Sequence, residues 1–149
     1  MPETLFNDQP IGRLFTMLGK GYLGLLRNRL RHLDIDRYYY ALVLIGRYNG
    51  SISQQDLSVL LDSNKVSIVR IVDYLSEKGY IQRVRKTDDR RKHNLIVTEK
   101  GQQAIPEIRQ SFSEINEIIL NGLEQSQISE IARIITRIQK NLTQHTDTK

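Results

Sequence analysis

Residues 53–97 read SQQDLSVLLDSNKVSIVRIVDYLSEKGYIQRVRKTDDRRKHNLIV. Two short helical patterns, each opened by a small polar residue, run into two β-rich segments that enclose a cationic tip. Ser53 precedes QQDLSVLLD with Asp56 three residues on, a capping box with a shorter acid than usual. Asn64 precedes KVSIVRIVDYLSEK, and Gly79 follows at the place where a helix tends to end on a left-handed residue. Two such helices joined by a tight turn predict a helix-turn-helix over about 53–77. YIQRVR and NLIVT alternate in the manner of a two-faced ribbon, which predicts a hairpin over 80–97.

The chain has 149 residues and a net charge of +5, and the placement of that charge is informative. Residues 65–93 hold 9 basic and 4 acidic side chains, whereas residues 1–64 hold 7 and 6 and residues 94–149 hold 6 and 7. A basic band confined to one segment is the electrostatic footprint of a polyanionic partner. The plain alternative is a solvated charged face. A position at a hairpin tip directly behind a helix-turn-helix weighs against it.

Hydrophobic residues make up 39% and charged residues 26%, the balance of a soluble globular protein. No apolar run approaches the roughly 20 residues that span a bilayer. MPETLFNDQP lacks the cationic start and apolar core of a secretory signal. Together these features favour the cytoplasm and no membrane association. The chain has no cysteine, which excludes disulfides, thiolate metal sites and thiol redox sensing. His32, His93 and His145 are too scattered for a metal site, so no metal or cofactor is expected.

Outward from the central stretch, Leu14, Leu18, Tyr22 and Leu25 step by four and three and predict a helix over 8–33. Gly19, Gly21 and Gly24 match a dinucleotide fingerprint by letter, but no strand precedes them. They read instead as sites where a partner helix can approach. Asp36 is a candidate cap for a helix through RYYYALVLIGRY that ends at Asn49-Gly50. Over 98–142, Ile105, Ile108, Phe112, Ile115 and Ile119, then Ile128, Ile131, Ile135, Ile138 and Leu142, repeat at the spacing of helices that pack along their length. The expected fold is mainly α with a small β wing. Residues 1–149 form a single domain, with 8–33 and 98–142 as dimerisation helices around a winged helix-turn-helix over 36–97.

On a helical wheel, Ile68, Ile71, Val72 and Leu75 cluster on one face of the second helix of the pair. Val66, Ser67, Val69, Arg70 and Asp73 point away from that cluster. Such a face suits a major groove, where arginine can bridge guanine O6 and N7 and a valine methyl can touch thymine. Lys65 in the first turn opposes its own helix dipole, a cost that a nearby phosphate would offset. Ser53, Gln54 and Gln55 can present donors to another phosphate. At the tip, Arg91 is placed to enter a minor groove with Asp89 holding its guanidinium, while Lys86, Arg90 and Lys92 would contact the backbone.

SQQDLSVLLDSNKVSIVRIVDYLSEKGYIQRVRKTDDRRKHNLIVTEKG resembles the winged helix-turn-helix of MarR-type transcriptional regulators. The likeness rests on the leucine-bearing first helix of the pair, LSEKGYI, the D-x-R of Asp89–Arg91, and the L-x-V-T-x-x-G that closes the wing. It implies a homodimer built from the first and last two helices, bound to a pseudo-palindromic operator on double-stranded DNA. It further implies release by a small aromatic effector, for which His32, Tyr38 and Tyr39 are pocket candidates. By the same resemblance Ser67 and Arg70 match recognition positions, and Asp89 and Arg91 match the wing pair. Val66 and Val69 stand where many members have Ser or Thr.

The function expected is a sequence-specific DNA-binding regulator, a ligand-responsive repressor. The alternative is a winged-helix protein-interaction module that does not bind DNA. The chain is not expected to be an enzyme. It has no Ser/His/Asp grouping, no paired carboxylates in an apolar setting and no phosphate loop.

Overall fold

The computed structural model describes residues 8–146 except 87 and 88, with the backbone alone for 86 and 89–92. Six helices and a small sheet follow one another among these residues. They are α1 (Ile11–Arg29), α2 (Tyr39–Arg47), β1 (Ile52–Ser53), α3 (Gln54–Leu60), α4 (Lys65–Glu77), β2 (Ile81–Lys86), β3 (Asp89–Val97), α5 (Glu99–Ile119) and α6 (Gln125–Thr146).

Local chemistry accounts for most of the boundaries. The Ser53 hydroxyl accepts from the Asp56 amide at 3.1 Å, and the Asp56 carboxylate accepts from the Ser53 amide at 2.9 Å. Both halves of the capping box are therefore present. The Asn64 side chain accepts from the Ser67 amide at 2.8 Å and starts α4. Gly79 follows Lys78 at φ +81°, the left-handed residue that stops α4.

Asp36 does not cap α2. It sits at φ +59°, and its carboxylate pairs with Arg27 at 2.7 Å. The N-cap position belongs to Tyr38, which makes no side-chain cap bond. A left-handed residue three positions before the helix turns the chain sharply, so Asp36 serves the bend between α1 and α2.

The sheet carries one more strand than a plain hairpin. Its order is β1-β3-β2, all antiparallel. Ile52 pairs with Leu95 and Ser53 with Asn94. Two side-chain amides extend this edge. Asn94 donates to the Gly50 carbonyl, and the Val97 amide donates to Asn49, both at 2.7 Å.

The chain divides into two compact units, Met1–Ile115 and Asn116–Lys149. The first has a continuous core. Leu30, Ile35, Leu42 and Ile45 pack with Leu57, Ile68, Val72 and Leu75 and with Tyr80, Ile81, Leu95 and Ile108. Each large apolar side chain so buried contributes on the order of 2 kcal/mol. In the second unit α6 buries none of its residues. Its isoleucine row is a helix face without a core of its own.

The base of the hairpin is fastened to the end of α4 by the residues of the L-x-V-T-x-x-G motif. Leu95 and Val97 are buried. The Thr98 hydroxyl donates to the Gly79 carbonyl at 2.6 Å, and the Thr98 amide donates to the Tyr80 carbonyl at 3.0 Å. Gly101 lies so close to the Tyr80 carbonyl that a Cβ there would overlap it. Only glycine lets α5 start at this distance from the strand.

Candidate nucleic-acid interface

The face of α4 follows from its sequence. Ile68, Val72 and Leu75 are buried, and Ile71 is half-buried against the same core. One hundred degrees per residue then leaves Val66, Arg70, Asp73 and Glu77 on the opposite side, and all four are exposed. Val66 is 63% exposed, a large value for a valine in the first turn of a helix. Val69 and Ser67 flank this face and are half-buried.

Asp73 places a negative charge on this side of the helix. Arg83 answers it. The Arg83 guanidinium pairs with the Asp73 carboxylate and donates its Nε–H to Gln54 Oε1 at 2.9 Å. One strand residue thereby ties together α3, α4 and the hairpin. Sequence reasoning assigned Arg83 no role, although a signal was present. Arg83 shares its side of β2 with buried Ile81 and pairs across the ribbon with buried Leu95. A charge beside buried apolar neighbours favours a partner.

Arg70 makes no ion pair or hydrogen bond among the described residues, so its guanidinium is uncommitted there. Gln54, Gln55, Ser58, Lys65 and Ile68 line a groove between the starts of α3 and α4. The Gln54 carbonyl oxygen is taken by Arg83, which leaves its amide hydrogens available. The first turn of α4 has no acidic residue, and Lys65 stands there exposed. The structure thus brings Gln54, Gln55, Lys65, Val66, Ser67, Val69 and Arg70 onto one side of the head, with Ser53 committed to its cap. The backbone of Lys86 and of Asp89, Arg90, Arg91 and Lys92 lies in β2 and β3. Their side chains lie outside the described residues.

The three pocket candidates do not share a wall. Tyr39 is 2% exposed and belongs to the core. Tyr38 packs edge-on against Tyr74, with ring centroids 5.2 Å apart. His32 is exposed and contacts Glu107 at 2.8 Å. It lines an open cleft with Asp34, Tyr80, Lys100, Gln103 and Glu107. Within that cleft the Tyr80 hydroxyl donates to Asp34 at 2.7 Å, and Lys100 lies over the Tyr80 ring at 4.3 Å. The Tyr80 bond holds the Asp34 carboxyl below its usual range, and burial pushes the Tyr80 phenol up. No helix among the described residues is long and apolar enough to cross a membrane.

Comparison with known proteins places this geometry. Residues 35–92 match the MarR family. The crystal structure of the transcriptional regulator SlyA is similar at a TM-score of 0.84 and 25% identity, over 92% of this chain and 96% of that one. A MarR transcriptional regulator from Methanosarcina mazei is similar at 0.76 and 26% identity, over 90% and 96%. A putative MarR family regulator from Listeria monocytogenes, complexed with a 26mer DNA, is similar at 0.81 and 21% identity, over 92% and 91%.

Proposed function

We propose, from the premise that this chain belongs to the MarR family of winged-helix transcriptional regulators, that it is a homodimeric repressor of a pseudo-palindromic DNA operator. The observation that carries the reading is the outward side of α4. It presents Arg70 without a partner beside exposed Val66, with the Asp73 carboxylate paired to Arg83 and with Glu77 at the far end of the helix. Apart from the Asp73–Arg83–Gln54 contacts, neither the hydrophobic core nor an ion pair of the described residues uses this surface. The Listeria relative's complex with DNA supports the same partner.

In this reading α4 lies in a major groove, with Arg70 on a guanine edge and Ser67 beside it. Lys65 and the α3 residues Gln54 and Gln55 contact phosphates on either side. The hairpin follows as a wing, with Arg91 in the adjoining minor groove and Lys86, Arg90 and Lys92 along the backbone.

Two apolar rows support the dimer. On α1, Ile11, Phe15 and Leu18 are 46%, 41% and 72% exposed. On α6, Ile131, Ile135 and Leu142 are 38%, 52% and 65% exposed. Both rows follow the three-and-four stepping of helices that pack along a seam. Gly12, Gly19, Gly21 and Gly24 have open space around a would-be Cβ, so a partner helix can approach α1 closely. A dimer that reads two half-sites needs its two α4 helices about 34 Å apart, one DNA turn. A small aromatic effector that favours a different spacing would lower DNA affinity by linkage.

Selection from a random duplex pool, repeated at low and high salt, tests the proposal. The expected result is an inverted repeat bound by a dimer, with affinity falling steeply as salt rises. Arg70→Ala should relax specificity at one base position at a cost of about 1–3 kcal/mol. A monomer that enriches no sequence and ignores duplex DNA in dilute buffer would overturn it in favour of a protein-interaction module.

A further inference from the structure

We infer that Val66 and Val69 read the 5-methyl groups of thymine, so that the DNA this chain selects carries thymines at fixed positions beneath α4. The inference rests on the DNA-binding reading and adds which bases are recognised.

The two valines and Arg70 form one contiguous patch, because residues three and four apart are neighbours on a helix. Val66 lies opposite the buried Ile68 and Leu75. It is therefore the side chain of α4 that projects farthest from the core at this level. Val69 lies one turn on, half-buried. Two nearby polar side chains are already engaged in the fold. Asn64 accepts from the Ser67 amide to cap α4, and Asp73 is held by Arg83. The first two turns thus present two branched apolar side chains between the cations Lys65 and Arg70, with Ser67 at the flank.

Valine has no donor or acceptor, so it cannot read a base by hydrogen bonding. Among major-groove edges, thymine alone offers an apolar group. Against guanine, cytosine or adenine, a valine in contact would strip water from a polar edge and offer nothing in return. The side chain thus favours thymine and disfavours the other three bases by the same physics. Burying one methyl is worth roughly a fourfold change in affinity.

The test uses the full chain and its own selected duplex. Each thymine is replaced singly by deoxyuridine, which removes the 5-methyl group and leaves base pairing intact. One or two positions per half-site should lose about three- to fivefold in affinity, and the remaining thymines should lose nothing. In Val66→Ala or Val69→Ala the matching deoxyuridine substitution should then have no further effect, which ties each methyl to its valine. Circular dichroism confirms that the variants fold, and Val66→Thr, which keeps one methyl, should fall between valine and alanine. If every deoxyuridine duplex binds within twofold of the parent, or if the losses persist unchanged in both alanine variants, the inference fails and DNA binding stands. Failure to enrich any sequence would overturn both.

Discussion

Arg83, on the hairpin, pairs its guanidinium with the carboxylate of Asp73, on the helix that faces away from the core. The same arginine reaches Gln54 at the start of α3. The pair is partly solvated, with the Asp73 side chain 59% exposed, so its contribution to stability is small, about 0–1 kcal/mol. Its effect on DNA should be larger, because loss of Arg83 leaves an unpaired carboxylate facing phosphate. Arg83→Met should therefore leave the unfolding midpoint nearly unchanged and weaken operator binding at least tenfold. Adding Asp73→Asn should restore part of that affinity. Equal losses in the single and double variants would show that the ion pair does not shape the surface.

The caps at Ser53 and Asn64 should matter to folding more than to DNA. Each satisfies an otherwise orphaned amide at the start of a helix. Ser53→Ala and Asn64→Ala should each cost about 1 kcal/mol in urea unfolding, with no change in the slope. Ser53→Asp should retain most of the stability.

These caps were legible because they are local. A small polar residue, a fixed offset and an amide suffice to place α3 and α4, and Gly79 marks the stop in the same way. The relations that required the folded chain were the long-range ones. β1 is two residues long and exists only because Leu95 and Asn94 pass beside it. Asp36 has a good capping side chain, yet Arg27 and a left-handed backbone take it into the bend before α2. Three consecutive tyrosines could not be sorted by type. Tyr39 is in the core, Tyr38 packs on Tyr74, and Tyr40 is 53% exposed. For the candidate site, wheel geometry was enough to place Val66 and Arg70 outward. It could not reveal that Asp73, on that same side, is held by a strand residue ten positions away.

Gly101 and Gly46 make a contrast that tests packing against backbone. A Cβ on Gly101 would overlap the Tyr80 carbonyl, a backbone atom that cannot move without disturbing the Thr98 bond. A Cβ on Gly46 would overlap only the Cδ1 end of Ile105, which can rotate. Gly101→Ala should destabilise by about 1–3 kcal/mol. Gly46→Ala should cost less, because alanine also favours the helix by up to about 1 kcal/mol. Shortening the neighbour with Ile105→Val should improve Gly46→Ala and leave Gly101→Ala unchanged.

The Asp34–Tyr80 bond makes a prediction about acid. Asp34 has a lowered folded-state pKa, chiefly because the Tyr80 hydroxyl donates to it. A carboxyl lowered in this way binds its proton less tightly when folded than when unfolded. It therefore adds stability above the unfolded value of 3.8, and that stability is lost as the pH falls through the folded value. Tyr80→Phe keeps the ring under Lys100 and removes the donor. The Asp34 carboxyl, followed by carbon NMR, should then titrate at higher pH than in the parent, and the gap in stability between the two proteins should narrow as the pH drops below the carboxylate range. Lys100→Met should shift Asp34 in the same direction, since the lysine also lowers it. An Asp34 titration unmoved by Tyr80→Phe would assign the lowering to other groups and remove this bond from the acid response.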